Sequence, residues 1–274
     1  MLNVFGNIAR LPMRYIFFIS VILIASTLYL FIPSSAPVIK LSPQQAETIG
    51  EKIWQNEGAG KIENLVVWNK HEDFPSLGIG HFIWFPTGVD SPFEESFPAL
   101  LAFIKEKHPI PSWLANTSNA PWNNREAFYQ KINSQEIQDL RDLMRSTIHL
   151  QVAFIIQRME AALPKMLNAI SNNSKKELIK KRFYRIANTP NGPYALIDYV
   201  NFKGEGTSNK ERYKGEGWGL LQVLEHMDPD NPDIMSEFSR SADYVLTRRV
   251  QNADRDESQW LPGWRKRLHT YLVD

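Results

Sequence analysis

Two hydrophobic regimes divide the chain. Residues 15–32, YIFFISVILIASTLYLFI, form an apolar run without a charge, whereas from residue 42 onward apolar positions return at helical or strand spacing. Ser42, Pro43 and Gln45 read as an N-cap, a first-turn proline and a capping-box partner. A helix is therefore expected from 43 to about Asn56, stopped by Gly58 and Gly60. Its apolar stripe runs Ala46, Ile49, Ile53, and the next position on that face is Glu57 rather than another apolar residue. Two β-prone runs follow, 64–69 and 77–85, separated by the polar loop KHEDFPS. Beyond Pro92 the pattern turns helical, with helices expected at 94–107, 123–132, 135–171, 174–188, 193–201, 218–227, 235–252 and 262–272. Pro164 should kink or break the long one. Segment 202–217, FKGEGTSNKERYKGEG, reads as a polar loop. The expected class is α+β, mostly α, with a small β-hairpin or sheet near the N-terminal side.

Charge changes the picture at the N-terminus. Arg10 and Arg14 precede the apolar run and nothing comparable follows it, a bias that leaves the N-terminus in the cytoplasm and exports the rest. The run is at the short limit for a spanning helix and longer than the usual signal-peptide core. Ser34 and Ala36 fit a small-residue cleavage pattern, but Pro37 would follow the cut, so a signal anchor and a cleaved signal peptide both stay open. The organisation expected is 1–36 as anchor or signal peptide, 37–41 as linker and 42–274 as one domain. That domain belongs in the cell envelope. The expectation is that it is tethered to the inner membrane through the N-terminal helix and faces the periplasm, or is periplasmic or secreted if the helix is removed.

Composition mostly excludes. With 31 basic and 30 acidic side chains there is no electrostatic case for nucleic acid. The chain has no cysteine, hence no disulfide, lipidated cysteine or thiolate metal site. Six histidines show no His-Glu-x-x-His or other close metal spacing, and neither a Gly-x-Ser-x-Gly elbow nor a P-loop occurs. No metal and no cofactor is implied. The basic run from Lys175 to Arg182 mixes with Leu178 and Ile179 at helical spacing and reads as a solvated face.

Glu57 is the candidate for chemistry. A carboxyl at the C-terminal end of a helix sits at the negative pole of the dipole, and a carboxylic acid that keeps its proton is what a glycosidase needs to protonate a leaving oxygen. The loop that follows brings Glu72, Asp73 and Ser76, which offer a second carboxylate and a hydroxyl to orient water. Trp54, Trp68, Trp84 and Phe85 offer faces for sugar stacking, or else core packing.

Glu57, a spacer, and then Ser76-Leu-Gly-Ile-Gly-His81 resembles the phage-type lysozymes and related endolysins. In that family a helix-ending Glu precedes an Asp and then Thr-x-Gly-x-Gly-His on a β-hairpin. The resemblance implies a lysozyme-like domain in which Glu57 is the general acid and Ser76 positions the attacking water. Gly78 and Gly80 would then turn the strand tightly beside the cleft, with His81 packed near the acid. The family's Asp has no clean counterpart; Asp73 and Glu72 are the nearest. A second stretch, Gly215-Glu-Gly-Trp-Gly-Leu-Leu-Gln-Val223, is similar to a cleft-lining run of goose-type lysozymes and lytic transglycosylases. It implies a cleft wall with Trp218 and Gln222 as candidate sugar contacts, beside the candidate stacking face of Trp84 on the hairpin, and makes Asp198 and Glu216 outside candidates for the second carboxylate. The C-terminal LPGWRKRL looks like the closing helix of phage-type lysozymes.

The function expected from these residues and resemblances is an exported glycoside hydrolase that cleaves peptidoglycan, or a related amino-sugar polymer, by acid catalysis. Two alternatives stay open: a lysozyme-fold module that binds glycan or an envelope partner protein without turnover, and a lytic transglycosylase.

Overall fold

The computed structural model describes residues 39–91 and 93–272, so the segment 1–36 read above as an anchor or signal peptide lies outside the described residues. The described chain is mostly helical with a small antiparallel sheet. Among the described residues no helix is long and apolar enough to cross a membrane.

The first helix, α1 (Pro43–Gly58), starts on the expected capping box, in which the Ser42 hydroxyl accepts from Gln45 N and the Gln45 side chain accepts from Ser42 N. Ala59 closes it in the left-handed conformation. A 3-10 turn leads into β1 (Val66–Val67), which pairs antiparallel with β2 (Ser76–Leu77), itself paired with β3 (Phe82–Ile83). The run expected as one strand over 77–85 is thus two strands, because Gly78 and His81 bracket a tight turn: Gly78 has φ +69° and His81 N donates to Gly78 O. Gly78 and Gly80 both permit close approach, and Gly78 also takes the left-handed conformation of the turn. Gln151, fully buried, reaches into the place a Gly78 side chain would fill and accepts from Ile79 N at 2.9 Å. A Cβ on Gly80 would meet Asn201 Oδ1 at 2.9 Å.

Helices α2 (Phe97–Lys105), α3 (Ser112–Ala115) and α4 (Arg125–Gln130) lead to α5 (Gln135–Ser146) and α6 (Ile148–Ala169). The break expected at Pro164 falls instead at Thr147. There the hydroxyl bonds Leu143 O and the Gln151 amide bonds Met144 O, which satisfies the end of α5 while the chain changes direction. Pro164 stays inside α6 with its ring on the exposed side, tolerated because Met159, Ala162, Leu163 and Met166 anchor the opposite face in the core.

Then follow α7 (Asn173–Ala187) and α8 (Gly192–Lys203). Residues 194–200 of α8 are all buried, so this helix is surrounded rather than amphipathic. The loop expected over 202–217 contains a short hairpin, β4 (Arg212–Tyr213) with β5 (Glu216–Gly217). Helices α9 (Leu220–His226), α10 (Ile234–Asn252) and α11 (Leu261–His269) complete the fold. The basic face expected on α7 is only partly solvated. Arg182 is buried and donates to Leu224 O and Glu225 O, which satisfies carbonyls at the end of α9.

Replacing Gly78 by Ala adds left-handed strain to a collision with Gln151, whereas Gly88, with φ +81°, has open space around it. Gly78→Ala should cost about 3 kcal/mol in urea denaturation and Gly88→Ala about 1 kcal/mol. Equal losses would contradict this account of the turn.

Candidate active site

One cleft of about 510 Å³ opens where the end of α1, the β1–β2 loop, the β2–β3 turn, the end of α8 and the start of α11 meet. Glu57, Glu72, Ser76, Gly80 and His81 line it, and so do Phe202, Lys203, Glu211, Trp218, Arg249, Trp260 and Trp264.

Glu57 stands at the rim with its side chain 12% exposed. It is not the isolated helix-end carboxyl expected from sequence. Oε1 lies 2.8 Å from Nη2 of Arg267 on α11 and accepts from Asn201 Nδ2 at 3.3 Å, and Oε2 lies 3.6 Å from His81 Nδ1. Arg267 is itself committed elsewhere: Nε and Nη2 each donate to Asp198 at 2.7 Å. Tyr271 Oη donates to the same carboxylate at 2.6 Å and Asn56 Nδ2 at 3.3 Å. Burial opposes the guanidinium charge, but Asp198 and then Glu57 hold the Arg267 proton well above the ordinary arginine range. One buried cation is therefore shared by two carboxylates. Among the described residues Asn201 Oδ1 and His81 Nε2 are buried without a hydrogen-bond partner, and His81 holds an unusual φ of +48°. Polar capacity at the Glu57 end of the cleft is left unused.

The choice between Glu72 and Asp73 is decided by direction. Asp73 is exposed and does not line the cleft, so it is set aside as a site residue. Glu72 lines it, held by its backbone carbonyl accepting from Trp68 Nε1 at 2.7 Å and by its carboxylate accepting from Asn69 at 3.0 Å and Ser76 Oγ at 3.4 Å. Burial raises the Glu72 carboxyl above its ordinary range and the Glu57 charge adds to this. The Asn69 and Ser76 hydrogen bonds and the nearby His81 act the other way.

Other expectations are corrected. Trp84 is 1% exposed, packed on Phe97 and Trp122 with its Nε1 donating to Ser118 O; it belongs to the core and meets no sugar. Trp68 is likewise core, and Trp54 and Phe85 do not line this cleft. Gln222 is buried at the start of α9, where it accepts from Gly219 N and donates to Gly206 O, so its amide is consumed by capping. Gly78 acts from behind the turn rather than in the cleft. Asp198 is sealed behind Arg267, and Glu216 is an exposed partner of Arg248 at 2.9 Å; neither lines the cleft. Trp218 does line it, though nearly buried beneath the Arg249 guanidinium at 4.3 Å. Arg249 in turn is fixed by the buried Glu257 through bonds of 2.8 and 3.2 Å.

Several cleft residues had no local signature. Glu211 lies in a stretch that reads as solvated loop, yet its carboxyl accepts weakly from Glu94 N at 3.4 Å and packs over Gly204. Burial pushes it up to about 7, with the charges of Glu94 and Glu205 adding and the Glu94 amide and Arg249 opposing. Trp264 and Arg267 share one face of α11 at a spacing of three, a signal readable in LPGWRKRL, whereas the match between Arg267 and Glu57 depends on tertiary structure alone. Among the described residues no group of three or more His, Asp or Glu side chains is placed to hold a metal ion. Comparison with family models, with curated proteins and with solved structures finds no match to this chain.

The folded protein holds the Glu211 proton more tightly than the unfolded chain does. Its contribution to stability is full below pH 4.5 and is lost as the pH rises through about 7. Glu211→Gln should therefore leave the melting temperature unchanged at pH 4.5 and raise it at pH 8, by an amount equivalent to about 2 kcal/mol. A variant that is less stable than the parent at pH 8 would show that the charged form is the one the fold accommodates.

Proposed function

We propose that this protein is an exported, membrane-tethered glycoside hydrolase of lysozyme-like fold that cuts the glycan strands of peptidoglycan or a related amino-sugar polymer. The observation that carries the reading is the presence in one cleft of two carboxyls, Glu57 and Glu72, that sense each other's charge, with the Ser76 hydroxyl on the second. Partly exposed rings of Phe202, Trp260 and Trp264 continue the same cleft and suit the apolar faces of sugars. Export rests on the apolar run 15–32 and its flanking charge.

In this reaction Glu57 gives its proton to the glycosidic oxygen as the bond to the anomeric carbon breaks. A water molecule oriented by Ser76 attacks that carbon from the other side and yields a proton to the Glu72 carboxylate. Arg267 Nη2 lies 2.8 Å from Glu57 while also bonding Asp198, so the carboxylate that Glu57 becomes on giving up its proton is stabilised in place by this guanidinium. Asn201, donating to both Glu57 and Gly80 O, fixes the acid against the turn. A base whose proton affinity is raised by burial must be deprotonated before it acts. The acid limb of the rate profile is then shifted above the ordinary carboxylate range.

One observation favours a second reading, a glycan-binding module without turnover: each Glu57 oxygen already has a partner within the protein. The two readings separate in an assay of soluble fragment release from purified peptidoglycan by the full-length protein. Glu57→Gln and Glu72→Gln should each lower release at least 100-fold while the proteins still sediment with the polymer. Release that is unaffected by Glu57→Gln would end the catalytic assignment, and absent release with retained sedimentation would establish the binding module.

A further inference from the structure

Lys203 is the cation that the proposed mechanism leaves unused. It ends α8, two residues beyond the Asn201 that holds Glu57, and lines the same cleft. Its ammonium lies 3.9 Å from the ring centroids of both Phe202 and Trp264. Among the described residues it has neither a hydrogen-bond acceptor nor an ion-pair partner. The neighbouring Arg249 shows the contrast, since its guanidinium is answered by Glu257.

A lysine boxed by rings and lacking an acceptor has two ordinary explanations. In the first its stem merely covers apolar surface while the head reaches water. Here the head itself sits against the rings, which leaves little room for a full hydration shell. In the second the head waits for an anion that arrives with a ligand, and the setting suits that. Phe202 and Trp264 crowd the head, which otherwise stays partly open to the cleft, where a ligand can reach it. Burial, then the like charges of Arg249 and Arg267, holds the amine well below the ordinary lysine range against the opposing pull of Glu257 and Glu57. An arriving carboxylate would favour the charged ammonium and offset that cost. Glu257 does not substitute for it, because its carboxylate is already bonded to Arg249.

We propose that Lys203 is a specificity residue that receives a carboxylate borne by the sugar next to the cleaved bond, with Phe202 and Trp264 as the walls of that subsite. The inference rests on the glycan reading above and narrows it. Polymers with a carboxylated sugar, as in peptidoglycan, are bound in register, and neutral amino-sugar polymers such as chitin lack the anchoring contact.

The test measures binding rather than turnover. Full-length Glu57→Gln protein is titrated with peptide-free peptidoglycan glycan strands, with the same strands after carbodiimide and borohydride reduction of their carboxylates, and with a chitin hexamer, by tryptophan fluorescence. The native strands should bind at least tenfold more tightly than the reduced strands or the hexamer. Adding Lys203→Met should remove the difference, and Lys203→Arg should keep most of it, which guards against a misfolded variant. Equal affinity for native and reduced strands, or discrimination that survives Lys203→Met, overturns the subsite and leaves the glycan reading standing. Binding to none of the three ligands overturns both.

Discussion

A single guanidinium organises this protein. Arg267 is buried between Asp198 and Glu57, and a buried cation needs matched acceptors at good geometry to offset its lost hydration. Asp198 supplies the fork-on-fork match from the central helix α8, with Tyr271 and Asn56 occupying more of its lone-pair sites. Nη2 is then shared with Glu57 at the end of α1. Three helices distant in sequence are thereby tied at one point, at the rim of the cleft. The site is an extension of the core's polar network, not a decoration of a finished fold.

From that point the cleft's carboxyls separate by environment. Glu57 is held by a guanidinium and an amide. Glu72 has an amide, a hydroxyl and the nearby His81 to set against its burial, and Glu211 has one backbone N–H and Arg249 against its burial and the repulsion of two glutamates. Burial raises the Glu72 and Glu211 carboxyls above the ordinary range, so the cleft holds groups that keep their protons to higher pH than a solvated carboxylate, as acid–base chemistry on a polysaccharide can use. The catalytic role itself remains our proposal, supported by this arrangement and by the residues around it.

Much of the frame was legible in the chain. The capping box at Ser42 and Gln45 and most helices after Pro92 follow from local signals whose physics is local too. The first helix stops near the two glycines, although it runs through Gly58 and Ala59 is the residue that closes it in the left-handed conformation. Glu57 stood out because it broke an apolar stripe, and it does line the cleft. Where reading failed, a distant partner had decided the outcome. Pro164 stays in a helix because buried neighbours hold its other face, and the break at Thr147 is satisfied by Gln151, whose main task is to fill the space beside Gly78. Trp84 and Gln222 looked like ligand contacts because their types suit sugars, but their polar atoms are spent on Ser118 and Gly206. Glu211 was hidden in a stretch whose composition is that of solvated loop. No sequence pattern distinguishes a carboxyl that folds back over Gly204 from one that points to water.

The central claim is that water, activated beside Glu72 and Ser76, attacks a glycosidic carbon while Glu57 protonates the departing oxygen. Mass spectrometry of fragments released from peptidoglycan in ¹⁸O-labelled water reads that event directly. The account predicts one heavy oxygen at each newly formed reducing end. Fragments ending in an anhydro sugar without label would contradict it, since the sugar's own hydroxyl would then have taken the place assigned to water.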